Sequence, residues 1–525
     1  MTEVHKDDAV FFKSTGMVSA TELAKLARLD HDRELTLVIA GLDSGGGAGL
    51  SADCQSVADA GSYALIATTA LTVQSLKRVG TVKAVEPELF AETMDTLIED
   101  FPNIAAVKVG LVTSQEILEL ILKYLEGPLK NAKVVWDPVL TATAGDFKSA
   151  DLKGALPRIL KVSTLFTPNL TEALELASWS EERFNRSGIR ELASLFVNQG
   201  CAVLIKGGHA KDQVQSADFL KTAESEIVFT HDRRQGKGAH GGGCALSSFI
   251  AGSLAQGYAL YDAVALAKSY VTCGILRPMI SQEKERPPLG HHQDFLTPKT
   301  WPLVKDRAFP ALRDEAFPSC NEDLGFYPVL DSSAWIERVL RLGVRTVQLR
   351  IKDPKRADLP DEIARSVELA KRYHARLFID DHYQLAARFH AYGVHLGMED
   401  LQTADLEFIA KSGLRLGVST HGPCELFKAL GLKPSYIALG HVFPTNTKAM
   451  PSKPQGLWKL KREIGLMRAL HVPFTVIGGI TLDNAPLLRK LGVLSAAAVS
   501  AVTKASDPEE AVFDYLRIFG SGGDI

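Results

Sequence analysis

The sequence predicts two α/β domains in series, an αβα layered domain followed by a (β/α)8 TIM barrel, and three observations carry that reading. A chain of 525 residues exceeds what one hydrophobic core holds, so two to four domains are expected. From Leu35, short β-rich runs alternate with helical stretches: LTLVIAG, ALIATTA, AAVKVGL, KVVWDPV, TLFTPN and AVLIKGG. Continuous apolar runs mark strands of a parallel sheet buried on both faces. Further on the beat returns eight times, in FYPVL, RTVQLR, RLFID, GVHLG, RLGVS, YIALG, FTVIGG and SAAAVS. Eight βα units in about 200 residues are the pattern of a closed barrel.

Residues 1–33 read as a polar extension ending in SATELAKLARL, where Ser19 and Glu22 make a capping-box pattern before a short amphipathic helix. No chemistry is assigned to it. The layered domain spans 34–295. The stretch 296–323, with four prolines and mixed charges, reads as a linker. The barrel domain spans 324–525, and its chemistry is expected where the strands end, because the loops there build the active face.

Composition narrows the function classes. The chain is 46% hydrophobic and 23% charged, ordinary for a soluble globular protein. With 59 basic and 62 acidic side chains the formal charge is −3, and no overall basic field argues for nucleic acid. Cys54, Cys201, Cys244, Cys273, Cys320 and Cys424 are scattered without a CxxC pair, which suits a reducing compartment better than a disulfide framework or zinc site. MTEVHKDDAV lacks the marks of a signal peptide, and no apolar run approaches membrane-spanning length. The expectation is a cytoplasmic protein acting on small molecules, with no nucleic-acid or membrane partner; a homo-oligomer stays open.

In the first domain, GAHGGGCALSSF (Gly238 to Phe249) sets three glycines and a thiol at the start of an apolar helix. Helix N-terminal amides lack internal partners and the dipole there favours anions, so Gly241, Gly242 and Gly243 form a candidate anion cradle. Taken alone, the stretch is equally a glycine linker. GLDSGGGAGLSAD (Gly41 to Asp53) follows a strand but lacks the Lys-Ser/Thr ending of a Walker loop. TPNLTEA places Asn169 and Glu172 at a strand end, and VLIKGGH places Lys206 at another. A metal-bound polyphosphate needs a carboxylate, a cation and an anion nest, and together these motifs supply all three.

With TALTVQ, KVGL, VVWDPV and the terminal GHH, this set resembles the hydroxymethylpyrimidine and hydroxymethylpyrimidine-phosphate kinases of thiamin biosynthesis, over about residues 35–295. The resemblance implies a ribokinase-like fold and ATP as phosphate donor. It implies that Asp53 and Gln74 hydrogen-bond the aminopyrimidine, that Glu172 with Asn169 serves Mg-ATP, and that Lys206 faces the transferring phosphates. Cys244 takes the place where the wider group has an aspartate base. A thiol at a helix N-terminus is expected to have a lowered pKa, and two roles stay open for it, proton acceptor or packing partner. Gly242 stands where the family has threonine, and Ser44–Gly45 where it has Pro-Ser.

In the second domain, QLRIKD offers Gln348, Arg350 and Lys352 with two-residue spacing, on one face of a regular strand. IDDH offers Asp380 and Asp381, GMED offers Asp400, and GHVFPTNTKAM offers Thr445, Thr447 and Lys448. Cations and carboxylates repeated at one end of a barrel point to a metal-bound dianion and a second phosphate, with Mg²⁺ on Asp381 and Asp400. GHVFPTNTK, IGGI and GVHLGMED resemble thiamin phosphate synthase, over about residues 325–520. The resemblance implies that Arg350, Lys352, Ser419 and Lys448 hold the pyrophosphate and that Gln348 contacts the pyrimidine. It implies that Thr445, Thr447, Gly479, Val499 and Ser500 bind the thiazole phosphate. Asp380, where the family commonly has asparagine, is counted with the substrate-binding set. The implied mechanism is dissociative: pyrophosphate leaves and the thiazole nitrogen captures a pyrimidine-methyl cation. The whole chain then reads as a bifunctional enzyme. The alternatives are a working synthase joined to a non-catalytic kinase-like domain, or to one that acts on pyridoxal.

Overall fold

The computed structural model describes residues 33–75, 78–140, 149–208, 214–233, 240–280, 287–310, 312–320, 323–445 and 453–523. They divide into two compact units between Arg307 and Ala308.

The first unit holds ten strands: β1 (Leu35–Asp43), β2 (Tyr63–Gln74), β3 (Val79–Ala84), β4 (Ile104–Val109), β5 (Lys133–Trp136), β6 (Leu165–Phe166), β7 (Ala202–Ile205), β8 (Gln215–Lys221), β9 (Glu226–Asp232) and β10 (Leu303–Asp306). They lie in one sheet in the order β10-β9-β8-β7-β6-β5-β4-β1-β2-β3. The six apolar runs of the sequence form the parallel centre, from β7 to β2. The antiparallel edges are additions: β3 pairs with β2, and β8, β9 and β10 continue beyond β7.

Alternation along β1 shows why both faces are covered. Leu37 and Ile39 join a core cluster with Ile117 and Leu118 of the helix Gln115–Glu126. Val38 and Ala40 point the other way, onto Leu50 and Val57 of α1 (Gly49–Ala60). Beside α1 packs α2 (Gly242–Ala255), which is buried without a break from Ala245 to Ser253. Its first residues, Gly242, Gly243 and Cys244, are only partly buried and so remain accessible at the end of this packed helix.

The second unit is a closed barrel of eight parallel strands: β11 (Phe326–Leu330), β12 (Thr346–Leu349), β13 (Arg376–Asp380), β14 (Gly393–Leu396), β15 (Arg415–Thr420), β16 (Tyr436–Leu439), β17 (Phe474–Ile477) and β18 (Ala496–Ala498). Phe326 of β11 pairs with Ala496 of β18 and closes the ring. Tyr327, Phe378 and Tyr436 fill its interior with Ala438 and Ala497. Gly417 makes room for them, since a Cβ there would stand 2.2 Å from the Tyr436 ring. Among the described residues, no helix is long and apolar enough to cross a membrane.

The stretch 296–323 differs from a free spacer. Its LVKD segment is β10, an edge strand paired with β9. Past Ala308, Arg313 N donates to Gly431 O and Phe317 N to Lys433 O, each at 3.1 Å, while Cys320 and Leu324 join the barrel core. Prolines disfavour helix here, but they do not prevent edge pairing or packing.

Candidate active sites

In the first unit, the expected residues gather where the parallel strands end. Asp43 closes β1 and Gln74 closes β2. The Asp43 carboxylate folds the first glycine loop around itself, with Oδ1 accepting from Gly45 N (2.8 Å) and Oδ2 from Ala48 N (2.9 Å). His240 Nε2 lies 3.3 Å from Asp43 Oδ2 and 3.0 Å from Gln74 Nε2. Burial alone would raise Asp43, but His240 and the Gly45 and Ala48 amides hold it below the usual carboxylate range. The two glycine motifs touch backbone to backbone: Gly241, at φ +84°, caps α2, and a Cβ on it would come 1.9 Å from Gly47 O.

Lys206 supplies the cation. Its Nζ lies 2.6 Å from Asp137 Oδ1, and a Cβ on Gly243 would be 3.4 Å from that nitrogen. The ammonium therefore stands at the first turn of α2, where unpaired amides and helix dipole already favour an anion. Asp137 also accepts from Thr167 Oγ1 (3.3 Å) and Ser247 Oγ (3.2 Å). Asn169 and Glu172 form a reciprocal capping box: Glu172 N donates to Asn169 Oδ1 (2.9 Å) and Asn169 N to Glu172 Oε2 (2.7 Å). Burial pushes Glu172 up to about 7, against the pull of Lys206.

Two expectations in this unit change. Asp53 is not an open acceptor. Its Oδ2 is 2.8 Å from Lys108 Nζ, its Oδ1 accepts from Ser248 Oγ (2.7 Å), and both ion-pair partners are fully buried. It ties α1 to β4 and α2 and so fixes the direction of the glycine turn. The Cys244 thiol is not acidified. Burial pushes it up to about 11, although Lys108 pulls the other way. Desolvation outweighs the helix terminus here. Cys244→Ser is accordingly expected to keep phosphorylation within about tenfold of native, because transfer relies on positioning and charge more than on a base. Its rate–pH curve from 6 to 9 is expected to follow the native curve. An added inflection in the native enzyme alone would make the thiolate the base.

In the barrel, Gln348, Arg350 and Lys352 converge on one carboxylate. Gln348 Nε2 donates to Asp380 Oδ1 (2.7 Å), Arg350 Nε is 3.3 Å from Asp380 Oδ2, and Lys352 Nζ is 2.9 Å from the same oxygen. Lys352 also reaches Asp381 Oδ2 at 2.6 Å. Asp381 adopts the left-handed backbone (φ +64°), and its Oδ1 is buried with no hydrogen-bond partner. Burial raises Asp400, and the neighbouring Asp381 carboxylate raises it further. Asp380 is also raised by burial, which outweighs its cations. Ser419 Oγ is 2.8 Å from His395 Nε2.

The loops after β16 and β17 run side by side, with Phe443 N donating to Gly478 O (3.0 Å). Thr445 lies in the first of these and Gly479 in the second, its carbonyl accepting from Asn484 Nδ2 (2.9 Å). Val499 and Ser500 follow β18, where Val499 O accepts from Val502 N (3.2 Å). Thr447 and Lys448 lie outside the described residues.

The sequence model for phosphomethylpyrimidine kinase matches residues 43–288, and that for thiamine monophosphate synthase matches 327–502. A thiamine-phosphate synthase from Klebsiella pneumoniae is 55% identical over 201 residues, covering 38% of this chain and 94% of the relative. The chain belongs to the thiamine-phosphate synthase family. The synthase of Enterobacter sp. strain 638 is 54% identical over the same length. For the first unit, the crystal structure of a phosphomethylpyrimidine kinase from Clostridium difficile 630 is 30% identical, covering 46% of this chain and 98% of that one, with a TM-score of 0.39. A Staphylococcus aureus pyridoxal kinase is 25% identical, covering 53% and 100%, with a TM-score of 0.47. This family member is bifunctional: a phosphomethylpyrimidine kinase domain precedes the thiamine-phosphate synthase barrel, and both are transferases of thiamin biosynthesis.

The synthase barrel brings together Gln348, Arg350, Lys352, Asp380, Asp381 and Asp400. The kinase domain brings together Lys206, Asn169, Glu172 and the Gly241–Gly243 turn. The sequence motifs assign no role to Asp43, Lys108, Asp137, His240 and His395, which the structure places among the candidate site residues. Asp43 and Asp137 each end a strand run, in GLDSG and VVWDPV, and that position was the available pointer.

Proposed function

We propose that the kinase domain transfers the γ-phosphoryl group of ATP to hydroxymethylpyrimidine phosphate, and to the free alcohol as well. The synthase barrel then joins the resulting diphosphate to hydroxyethylthiazole phosphate. In the first step an oxygen of the pyrimidine substrate attacks the γ-phosphorus and ADP leaves. Lys206 and the amides of Gly242 and Gly243 take up the charge on the transferring group, which costs no reorganisation because α2 is already fixed. Gln74, held by His240, orients the ring.

In the second step the bond between the pyrimidine methylene and its diphosphate oxygen breaks, and the electron pair leaves with pyrophosphate. The thiazole nitrogen then forms the new C–N bond. Arg350, Lys352 and Ser419, with Lys448, hold the leaving group, while Gln348 orients the pyrimidine. Thr445, Thr447, Gly479, Val499 and Ser500 hold the thiazole phosphate. Asp381 and Asp400 suit Mg²⁺, which takes one or two carboxylates and completes its shell with phosphate oxygens and water. When bound, it would neutralise leaving-group charge. The observation that carries this reading is the Lys352 ammonium bridging Asp380 and Asp381 beside the buried, unpartnered Asp381 Oδ1. A lone buried carboxylate oxygen is costly unless a cation meets it.

Mass-spectrometric analysis of the full chain with hydroxymethylpyrimidine, thiazole phosphate, ATP and Mg²⁺ tests both steps. Thiamin phosphate and ADP are the expected products. Condensation only when the diphosphate is supplied ready-made would leave the first domain non-catalytic. Faster turnover of pyridoxal than of hydroxymethylpyrimidine would reassign its substrate.

A further inference from the structure

A chain of four hydrogen-bonding side chains runs through the barrel interior toward the condensation site. Ser419 Oγ lies 2.8 Å from His395 Nε2, His395 Nδ1 lies 2.7 Å from the Tyr436 hydroxyl, and that hydroxyl lies 2.8 Å from the Tyr327 hydroxyl. His395, Tyr436 and Tyr327 are buried, whereas Ser419 is partly open. Tyr436 is the first residue of β16 and Tyr327 the second of β11, while Ser419 stands near the end of β15. The chain therefore begins toward the closed end and finishes where the strands open onto the site.

Donor counting fixes its polarity. Among the described residues, the Tyr327 hydroxyl has a single hydrogen-bond partner, Tyr436. A neutral imidazole donates from one nitrogen and accepts at the other, so two orders are available. In one, Ser419 donates to Nε2, Nδ1–H donates to Tyr436, and Tyr436 donates to Tyr327. The last proton is then buried without an acceptor, and an unmet buried donor is expensive. In the other, Tyr327 donates to Tyr436, Tyr436 to Nδ1, and Nε2–H to Ser419. Every internal proton is then placed, and the only free one is on Ser419, facing the site.

We propose that Tyr327, Tyr436 and His395 are positioning residues that hold His395 in the Nε2–H tautomer and so present the Ser419 hydroxyl as an obligatory donor to the departing pyrophosphate. The proposal rests on the reading of Ser419 as a pyrophosphate contact. Arg350 and Lys352 meet the anion as charges; this chain acts only through one oriented proton. Its effect belongs to the leaving-group step, not to thiazole binding.

Two-bond ¹H–¹⁵N correlation spectra of the full chain, labelled at histidine, read the tautomer directly. The His395 signal is assigned by its loss in His395→Gln. The expected spectrum shows protonated Nε2. Tyr327→Phe is expected to shift the Nδ1 resonance and to lower condensation kcat about fivefold, with the KM for thiazole phosphate unchanged and phosphorylation by the first domain native. Should that variant not fold, His395→Asn, which cannot reach Ser419, is expected to lose about tenfold, and His395→Gln, which can donate from the Nε2 position, to recover most of it. An Nδ1-protonated ring in the native chain, or native kcat in Tyr327→Phe, overturns the proposal. Native condensation in Ser419→Ala overturns instead the reading beneath it, a failure that the spectrum of the unmutated chain tells apart.

Discussion

Arg350→Ala is expected to lower condensation about a thousandfold while the same chain phosphorylates its pyrimidine at the native rate. Arg350 is part of a cationic pair that converges with Gln348 on Asp380, at the mouth of a barrel whose proposed chemistry is departure of a highly charged group. A charge on the leaving group must be met as it develops, and a guanidinium does this with fixed, forked donors that water cannot replace at the same geometry. The side chain keeps about a third of its surface open (30%), so its loss creates no buried cavity and little change in stability. The check is steady-state assay of both products on one preparation, with the diphosphate supplied directly for the second. Equal loss of both activities in a folded variant would remove the case for two independent sites.

Lys206→Met is expected to be as severe for phosphorylation, about a thousandfold, and to leave condensation of ready-made diphosphate intact. Lys206 is almost buried (12% exposed), 2.6 Å from Asp137 and against the first turn of α2. Its removal deletes an ammonium at the glycine turn and also leaves Asp137 short of a cation. Breaking a buried pair costs about 3–5 kcal/mol, so a lower unfolding temperature of the kinase domain is part of the expected result. Lys206→Met with Asp137→Asn separates the two effects. The double variant is expected to regain stability and not activity. Phosphorylation regained with stability would make Lys206 a structural cation alone.

The barrel was legible because each of its strands is short, apolar and followed by a helix, and closure demands that regularity. The six parallel strands of the first unit were legible for the same reason. The edges were not: QSADFLK and EIVFTHD mix polar and apolar residues because an edge hairpin has a wetter face, and LVKD is too short to stand out among prolines. Among the candidate site residues, those at strand ends were legible by position, and the structure places them close together. The burial of Asp53 was not legible, because its motif says nothing of Lys108, which comes from a strand 55 residues away and pairs with it. Cys244 shows the same limit. A helix terminus is visible in sequence, but the depth at which it is buried is set by everything packed around it.

Asp381 gives the synthase domain one further property. A side chain held at positive φ costs about 1–3 kcal/mol relative to an unstrained backbone, and only glycine adopts that conformation freely. The fold thus carries a standing debit at the residue whose carboxylate meets Lys352 with one oxygen and leaves the other buried without a partner. If Asp381 holds the metal as proposed, laboratory selection for heat resistance alone would drift toward glycine at this position and return a sturdier barrel that no longer makes the vitamin precursor.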